Sequence, residues 1–281
     1  MASRRNFIRN AALGLSAATI TPLVGKSEGI IYDKVPARND LPVGIADYTF
    51  LNFDIPISIK MMQRLDIHFM SIKDFHLPIN STKEKIDEVV NEYKERGITI
   101  YAVGVIYMKS KEAIDQAFEY AKNVGVNIIV GVPNHNLVDY AEQKVKSYNI
   151  KLAIHNHGPE DKMYPNPEIA YDLIKNKDAR MGLCLDIGHA QRAGVDPAKA
   201  VLKYDKRIFD LHIKDVTKAA QDGQAIEAGR GIINFPALVR ALRKIKYPGH
   251  CSIEFELDMK DPLPGIAESV GYFKGVKDGT A

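Results

Sequence analysis

The sequence contains no tryptophan and only two cysteines, Cys184 and Cys251, among its 281 residues. Both cysteines lie in apolar segments typical of strands, so we expect two buried free thiols rather than a disulfide framework. The sequence also lacks a large excess of either charge, because 38 basic residues are nearly balanced by 35 acidic ones, which gives a net charge of +3. No basic stripe interrupts this balance, so we expect no nucleic-acid partner.

A hydrophobic run long enough for a good membrane span is absent as well. The apolar run from Ala11 to Val24 is rich in Ala, Ser, Thr and Gly, and it is shorter than the roughly 20 residues that a span requires. It follows Arg4-Arg5 and Phe7, a pattern that resembles a twin-arginine export signal. We therefore expect residues 1–29 to be an export signal, with no further membrane span. The protein would then be periplasmic, or retained at the membrane if the signal stays uncleaved.

We expect residues 30–281 to form one domain, in which short apolar runs alternate with amphipathic stretches from residue 42 onward. The apolar runs predict strands at 43–48, 69–73, 98–106, 127–132, 151–155, 181–186, 208–214 and 251–256. The amphipathic stretches predict helices at 81–96, 110–123, 136–147, 166–176, 197–204, 234–245 and 264–275. Eight strands separated by helices are typical of parallel βαβ units, and their number and spacing predict a single-domain α/β protein, a (β/α)8 TIM barrel.

The last four strands place polar side chains on one face. Side chains alternate between the lumen and the helix layer along a barrel strand. In the sixth strand, Leu183 and Leu185 share the apolar face that suits the helices, so Asp186 points into the lumen. The same alternation assigns the following side chains to the lumen: His155, His157, Asp210, His212, Lys214, Glu254 and Glu256. Most of these lie near the carboxyl ends of strands, where barrel enzymes place their active sites.

Two imidazoles and two carboxylates therefore converge, from His155, His212, Asp186 and Glu254. Carboxylates in a low-dielectric lumen are costly unless they are paired or bind a cation. This donor set suits a divalent metal that accepts both nitrogen and oxygen ligands, among which are Mn, Zn, Co, Fe and Mg. The alternative is a purely structural polar network.

Four segments carry a family resemblance: Leu-Asp-Ile-Gly-His at 185–189, Leu-His-Ile-Lys-Asp at 211–215, Gly-Arg-Gly-Ile-Ile-Asn-Phe at 229–235, and Tyr-Pro-Gly-His-Cys-Ser-Ile-Glu at 247–254. Together they resemble the xylose-isomerase-like TIM-barrel superfamily, which includes the sugar phosphate isomerase/epimerase family. The resemblance implies metal ligation by Asp186, His212 and Glu254. It further implies substrate contacts by His189, Lys73 and His76, and a glycine-flanked loop at Gly229 and Gly231.

The fifth strand departs from the family pattern. In the epimerases this strand ends in Glu, whereas here His155 occupies that position. Those epimerases use two carboxylates, one on each face of the sugar carbon, and this chain supplies only Glu254. The role of His155 is therefore open among three alternatives: a metal ligand, a base, or neither.

The chemistry that we expect of this site starts with removal of a proton from the carbon beside a metal-chelated carbonyl. The catalytic candidates are Glu254, His189, His157 and Lys73. The substrate-binding candidates are His189, Lys73, His76, Lys214 and Glu256. Glu256 is also a candidate base, and Lys214 has the alternative of pairing with Asp210 or Asp215.

The leading function is a metal-dependent isomerase or epimerase acting on a small carbohydrate or similar polyol. The first alternative is a lyase or hydratase that eliminates a β-substituent from a 3-keto-sugar or keto-glycoside, favoured by the missing second carboxylate. An alternative of another class is a sugar-binding barrel without catalysis.

Overall fold

The computed structural model describes residues 41–280, and a closed barrel of eight parallel strands forms its centre. The strands are β1 (Val43–Ala46), β2 (Phe69–Ile72), β3 (Thr99–Met108), β4 (Ile128–Pro133), β5 (Lys151–His155), β6 (Met181–Asp186), β7 (Ile208–Ile213) and β8 (Cys251–Ile253). Each strand pairs with the next one along the chain, and β8 pairs with β1 to close the ring, with Val43 opposite Cys251. The predicted TIM barrel is confirmed.

Helices surround this ring within the described residues. They are α1 (Ile55–Arg64), α2 (Lys83–Glu95), α3 (Lys111–Val124), α4 (Val138–Tyr148), α5 (Pro167–Ile174), α6 (Ile187–Arg192), α7 (Pro197–Tyr204), α8 (Phe235–Lys244) and α9 (Leu263–Gly279). Short 3-10 turns lie at Asp47–Phe50, His135–Leu137 and Asp205–Arg207. Several helices begin where a side-chain oxygen accepts a hydrogen bond from a first-turn amide, as Thr82, Ser110 and Asn166 do. These caps satisfy amides that have no partner within the helix.

Two of the helices were not predicted from the sequence. Asp54 accepts a hydrogen bond from the Ile57 amide, and Pro56 lies in the first turn of α1, so a start signal was present. Helix α6 begins directly after β6, because Asp186 ends the strand and also caps the helix by accepting from the His189 amide. A six-residue helix without a preceding loop leaves too short a periodic pattern to detect.

A buried polar cluster lies in the lumen below the carboxyl ends of the strands. The Tyr101 hydroxyl is 3.0 Å from both carboxylate oxygens of Asp210 and 2.6 Å from the hydroxyl of Ser252. Ala153 and Cys184 pack in the same lumen layer. Both cysteines are buried and free, as predicted. These side chains fill the barrel interior, so the space available to a ligand lies above them.

The segment after β7 is held in place by one buried carboxylate. A two-stranded antiparallel ribbon, Asp215–Val216 with Ala225–Ile226, leads into the glycine-flanked loop. Asp215 accepts hydrogen bonds from four backbone amides, those of Val216, Gly229, Gly231 and Ile233, at 2.8–3.2 Å. A Cβ atom at Gly231 would lie 2.3 Å from the Asp215 carboxylate, so only glycine allows this close approach.

The predicted export signal, residues 1–29, lies outside the described residues, and periplasmic localisation stays a prediction. Among residues 41–280, no helix has both the length and the apolar character needed to cross a bilayer.

Replacing Asp215 should destabilise the barrel. Asp215→Ala leaves four amides without their acceptor, and we expect the free energy of unfolding to fall by about 3 kcal/mol. Urea denaturation checks this, with Asp222→Ala as the matched control, because the Asp222 carboxylate pairs with Lys218 on the exposed tip of the same segment. An Asp215→Ala protein that unfolds at the same urea midpoint as the control would contradict this role.

Candidate metal centre and active site

Four neighbouring strands bring the predicted metal-binding side chains to one place. His212 on β7 lies opposite Asp186 on β6 and opposite Ser252 on β8. His155 on β5 lies opposite Cys184, two residues before Asp186. Because parallel strands in register end at the same edge, side chains near these four ends share the carboxyl-terminal mouth of the barrel.

The four side chains lie within coordination distance of a common point. One potential ligand atom from each of His155, Asp186, His212 and Glu254 lies within 4.8 Å of all the others. His212 Nδ1 is 3.1 Å from His155 Nε2 and 3.0 Å from Glu254 Oε2. His155 Nε2 is 3.8 Å from Asp186 Oδ2. All four are almost fully buried, between 0% and 6% exposed. The structure therefore brings together the group that the strand alternation predicted.

The donor set fits a divalent cation. Asp186 Oδ1 accepts from the His189 amide, whereas the buried Asp186 Oδ2 has no hydrogen-bond partner and lies 3.3 Å from the Lys214 ammonium and 3.8 Å from His155 Nε2. A buried carboxylate oxygen without a hydrogen bond is costly, and a ligated cation would reduce that cost. Two carboxylates and two imidazoles are a ligand set that Zn, Mn, Co and Fe accept.

The electrostatics of the group leave His155 and Glu254 in the protonation states that a metal ligand needs. Burial and the neighbouring His212 and His157 hold the pKa of His155 well below its usual range, so this imidazole is neutral and free to ligate. Burial opposes ionisation of Glu254, but His212 and Lys214 outweigh it and hold its pKa well below normal. Glu254 is therefore a carboxylate at neutral pH.

Lys214 connects this group to Glu256. Its buried ammonium lies 3.1 Å from Glu254, 3.3 Å from Asp186 and 2.8 Å from Glu256. Although burial disfavours its charge, these three carboxylates raise the pKa of Lys214 well above its usual value. The alternative that Lys214 pairs with Asp210 or Asp215 is wrong, because Asp210 bonds to Tyr101 and Asp215 bonds to backbone amides.

A cavity of about 280 Å³ opens above the group. Among its lining residues are the predicted side chains Lys73, His155, His157, His189, His212, Glu254 and Glu256, joined by Tyr48 and Tyr107. Lys73 lies on the side opposite Asp186 and donates to the Val105 carbonyl at 3.0 Å. His189 is neutral, because burial and Lys214 lower its pKa to about 3. A small polar ligand would thus meet carboxylates, imidazoles and one ammonium.

His157 and Tyr107 form a pair at the rim of this cavity. Their rings stack with centroids 5.9 Å apart, and the Tyr107 hydroxyl lies 3.1 Å from His157 Nε2. Tyr107 is 51% exposed despite its size. We did not predict Tyr107 from the sequence. It lies in a long apolar strand, and the alternation of side chains alone does not locate the carboxyl end of such a strand. An exposed ring there offers an apolar face to a sugar.

His76 lies away from the cavity lining. Its Nδ1 is 2.8 Å from Asp47 Oδ1, and its Nε2 is 2.7 Å from the Phe53 carbonyl. Asp47 in turn accepts from the Lys73 amide. Both ring nitrogens of His76 thus have partners in the protein, which favours a role in holding Lys73 and the end of β2 rather than the predicted substrate contact.

Asn156 is a positioning residue that we did not predict from the sequence. Its side-chain Nδ2 donates to the Asp186 carbonyl at 3.0 Å, and its Oδ1 accepts from the Asp186 amide at 3.1 Å. This pair of hydrogen bonds fixes the backbone of Asp186 against β5. The only available signal was its place between His155 and His157.

Comparisons with known proteins agree with this geometry. A family model described as "Xylose isomerase-like TIM barrel" matches residues 63–276. The "Rhizopine catabolism protein MocC" of Rhizobium meliloti is 28% identical over 151 residues, which are 48% of this chain and 46% of that protein. The chain thus spans about half the length of the curated relatives it matches.

Solved structures share the fold over most of the chain. A putative uncharacterised protein from Parabacteroides distasonis is 29% identical, covers 84% of this chain and 99% of its own, and has a TM-score of 0.66. The IolI protein, whose crystal structure is described as binding a zinc atom, is 18% identical, covers 85% of this chain and 99% of its own, and has a TM-score of 0.71.

Elemental analysis tests the metal centre. The purified protein should carry about one divalent transition metal per chain, and Asp186→Asn should reduce this at least tenfold by removing an anionic ligand. Asp210→Asn is the matched control, because this buried lumen carboxylate bonds to Tyr101 and lies outside the four-residue group. Equal metal content in all three proteins would contradict the site.

The role of His155 is tested in the same series. His155→Ala should lose metal, and full retention of metal would limit His155 to a catalytic or bystander role.

Proposed function

The chain belongs to the xylose isomerase-like TIM barrel family, and on that premise we propose that it is a metal-dependent isomerase- or epimerase-type enzyme. Its substrate is a small carbohydrate or similar polyol, from which it removes a proton next to a carbonyl. One observation carries the proposal: four potential metal ligands at the ends of consecutive strands converge below a cavity at the carboxyl-terminal mouth of the barrel. Barrel enzymes place their chemistry at this end.

His155, Asp186, His212 and Glu254 would hold the cation. When bound, a divalent cation supplies Lewis acidity that polarises a carbonyl and lowers the pKa of the adjacent C–H bond. Asn156 and the Asp186 cap on α6 hold the Asp186 carboxylate in its orientation. The donors are thus positioned before substrate arrives, which reduces reorganisation during the reaction.

The proton is received by a carboxylate on the cavity side. Glu254 is ionised, lines the cavity and is fixed by His212 and Lys214. Neutral His189, next to Lys214, can donate or accept a hydrogen bond to a substrate hydroxyl without adding charge. Lys73 presents a cation to an oxygen from the opposite side of the cavity. These roles place one base on one face of the substrate, with His157 and His189 as the groups that can return a proton.

A second candidate function follows from His155. It occupies the place where the family's epimerases have a second carboxylate, and with its pKa held low it is an uncharged imidazole. β-Elimination needs one base and one acid for the leaving group, rather than two carboxylates on opposite faces. The same site therefore supports a lyase or hydratase that acts on a 3-keto-sugar or keto-glycoside.

Incubating the metal-loaded protein with keto-sugars and keto-glycosides in deuterium oxide separates these functions. NMR should show loss of the proton at the carbon beside the carbonyl, because removal of that proton is common to all of them. Label or a new isomer without loss of a substituent identifies the isomerase or epimerase. An enone together with the released group identifies the lyase. If protein that binds both metal and sugar shows neither exchange nor product, this result contradicts catalysis and leaves a sugar-binding barrel.

Lys73 should contribute to turnover without contributing to metal binding. Lys73→Met removes the ammonium that faces the cavity, and we expect kcat/KM to fall at least about tenfold, the effect of losing one charged hydrogen bond. Metal content should not change, because Lys73 lies outside the four-residue group. Lys218→Met is the control, since Lys218 pairs with Asp222 on an exposed turn. An unchanged kcat/KM in Lys73→Met would remove Lys73 from the site.

A further inference from the structure

A second cavity of about 250 Å³ adjoins the first one. Two side chains line both cavities, His189 and Glu256, and Lys214 between them lines the second. The other residues of the second cavity come from α6, from the ribbon after β7 and from the segment after β8, and include Arg192, Gln224, Ala225 and Leu257. A group attached to a sugar in the first cavity would therefore enter the second.

The second cavity is formed by hydrogen-bonded segments rather than by a loose loop. In the ribbon, the Thr217 amide donates to the Gln224 carbonyl, and the Gln224 amide donates to the Thr217 hydroxyl. Asp215 holds the base of the same segment through its four amide contacts. Arg192 makes two hydrogen bonds to Glu160, at 3.0 and 2.9 Å, and a third to the Gln221 carbonyl. The cavity is therefore preformed, as ligand sites usually are.

The charges around this cavity are already paired within the protein. Lys214 lies within 3.3 Å of three carboxylates, and both terminal nitrogens of Arg192 bond to Glu160. A phosphate would have to displace these carboxylates and would meet Glu256 in the same cavity. Like-charge contact and lost ion pairs both oppose an anion there. Hydroxyl groups, in contrast, can donate to the side-chain oxygen of Gln224 and to the second carboxylate oxygen of Glu256 without any change of charge.

We propose that the second cavity binds a neutral, hydroxyl-rich group joined to the reacting sugar, so that the substrate is a glycoside or disaccharide rather than a phosphorylated or free monosaccharide. This inference rests on the proposed function, because it takes the first cavity as the place of the reacting ring. The two cavities have similar volumes, about 280 and 250 Å³, as two linked rings of similar size require. His189 and Glu256 lie between the two rings.

Calorimetric titration of the metal-loaded protein tests the second subsite. The probes are glucose, galactose, glucose 6-phosphate and a set of disaccharides that includes cellobiose, maltose, lactose and sophorose. At least one disaccharide should bind about tenfold more tightly than its component monosaccharides, and glucose 6-phosphate should bind no more tightly than glucose. Ala225→Phe, which fills the second cavity, should remove the disaccharide preference and leave monosaccharide affinity unchanged. Ala219→Phe, on the exposed part of the same segment, should retain it.

Each result decides the inference. Monosaccharide binding without any gain for disaccharides, or tightest binding by glucose 6-phosphate, overturns the second subsite and leaves the proposed function intact. A disaccharide preference that survives in Ala225→Phe also overturns it. If Ala225→Phe does not fold, Gln224→Trp replaces it, with the same expected loss of preference. Absence of binding by any sugar overturns both this inference and the proposed function.

Discussion

The interaction on which the site depends is the balance of charge at the carboxyl ends of β5 to β8. Asp186 and Glu254 are buried there as neighbours, and Lys214 is the ammonium that contacts both. Two buried carboxylates this close repel each other, and Lys214, which also contacts Glu256, and the His212 imidazole beside Glu254 reduce that repulsion. In the proposed function, a divalent cation held by the two carboxylates and two imidazoles would compensate their charge and would act on the substrate at this place.

The rest of the molecule supports this arrangement. Parallel register places the four strand ends at one level, and the Tyr101, Asp210 and Ser252 cluster fills the lumen beneath them. Asn156 and the first turn of α6 hold the backbone and side chain of Asp186. The segment after β7, fastened by Asp215, closes one side and adds the second cavity. Positioning therefore comes from strand ends and fastened loops rather than from ligand binding.

Alternation along the strands made the late half of the barrel predictable from sequence. It assigned Asp186, His212 and Glu254 to the lumen because each follows apolar residues at every second position, and the structure brings them together. The extent of β8 was overestimated. After Ile253 the chain leaves the parallel ladder, and the Phe255 amide bonds instead to the Thr49 hydroxyl, a contact no local pattern reveals.

The partners of long side chains were harder to predict. Lys214 reaches across three strand ends to Asp186 and Glu256, whereas the sequence suggested acidic residues near it in the chain. His76 was expected at the substrate, but Asp47 and the Phe53 carbonyl occupy its two nitrogens. Both outcomes depend on tertiary distances that spacing along one strand does not encode. The second cavity likewise depends on how the ribbon folds back over α6.

Anomalous X-ray diffraction from crystals grown with manganese tests the central claim most directly. We expect one strong anomalous peak, within coordination distance of His155, Asp186, His212 and Glu254 together. A peak ligated elsewhere, or no peak while these four side chains remain paired only with one another and Lys214, would contradict a metal centre at this place.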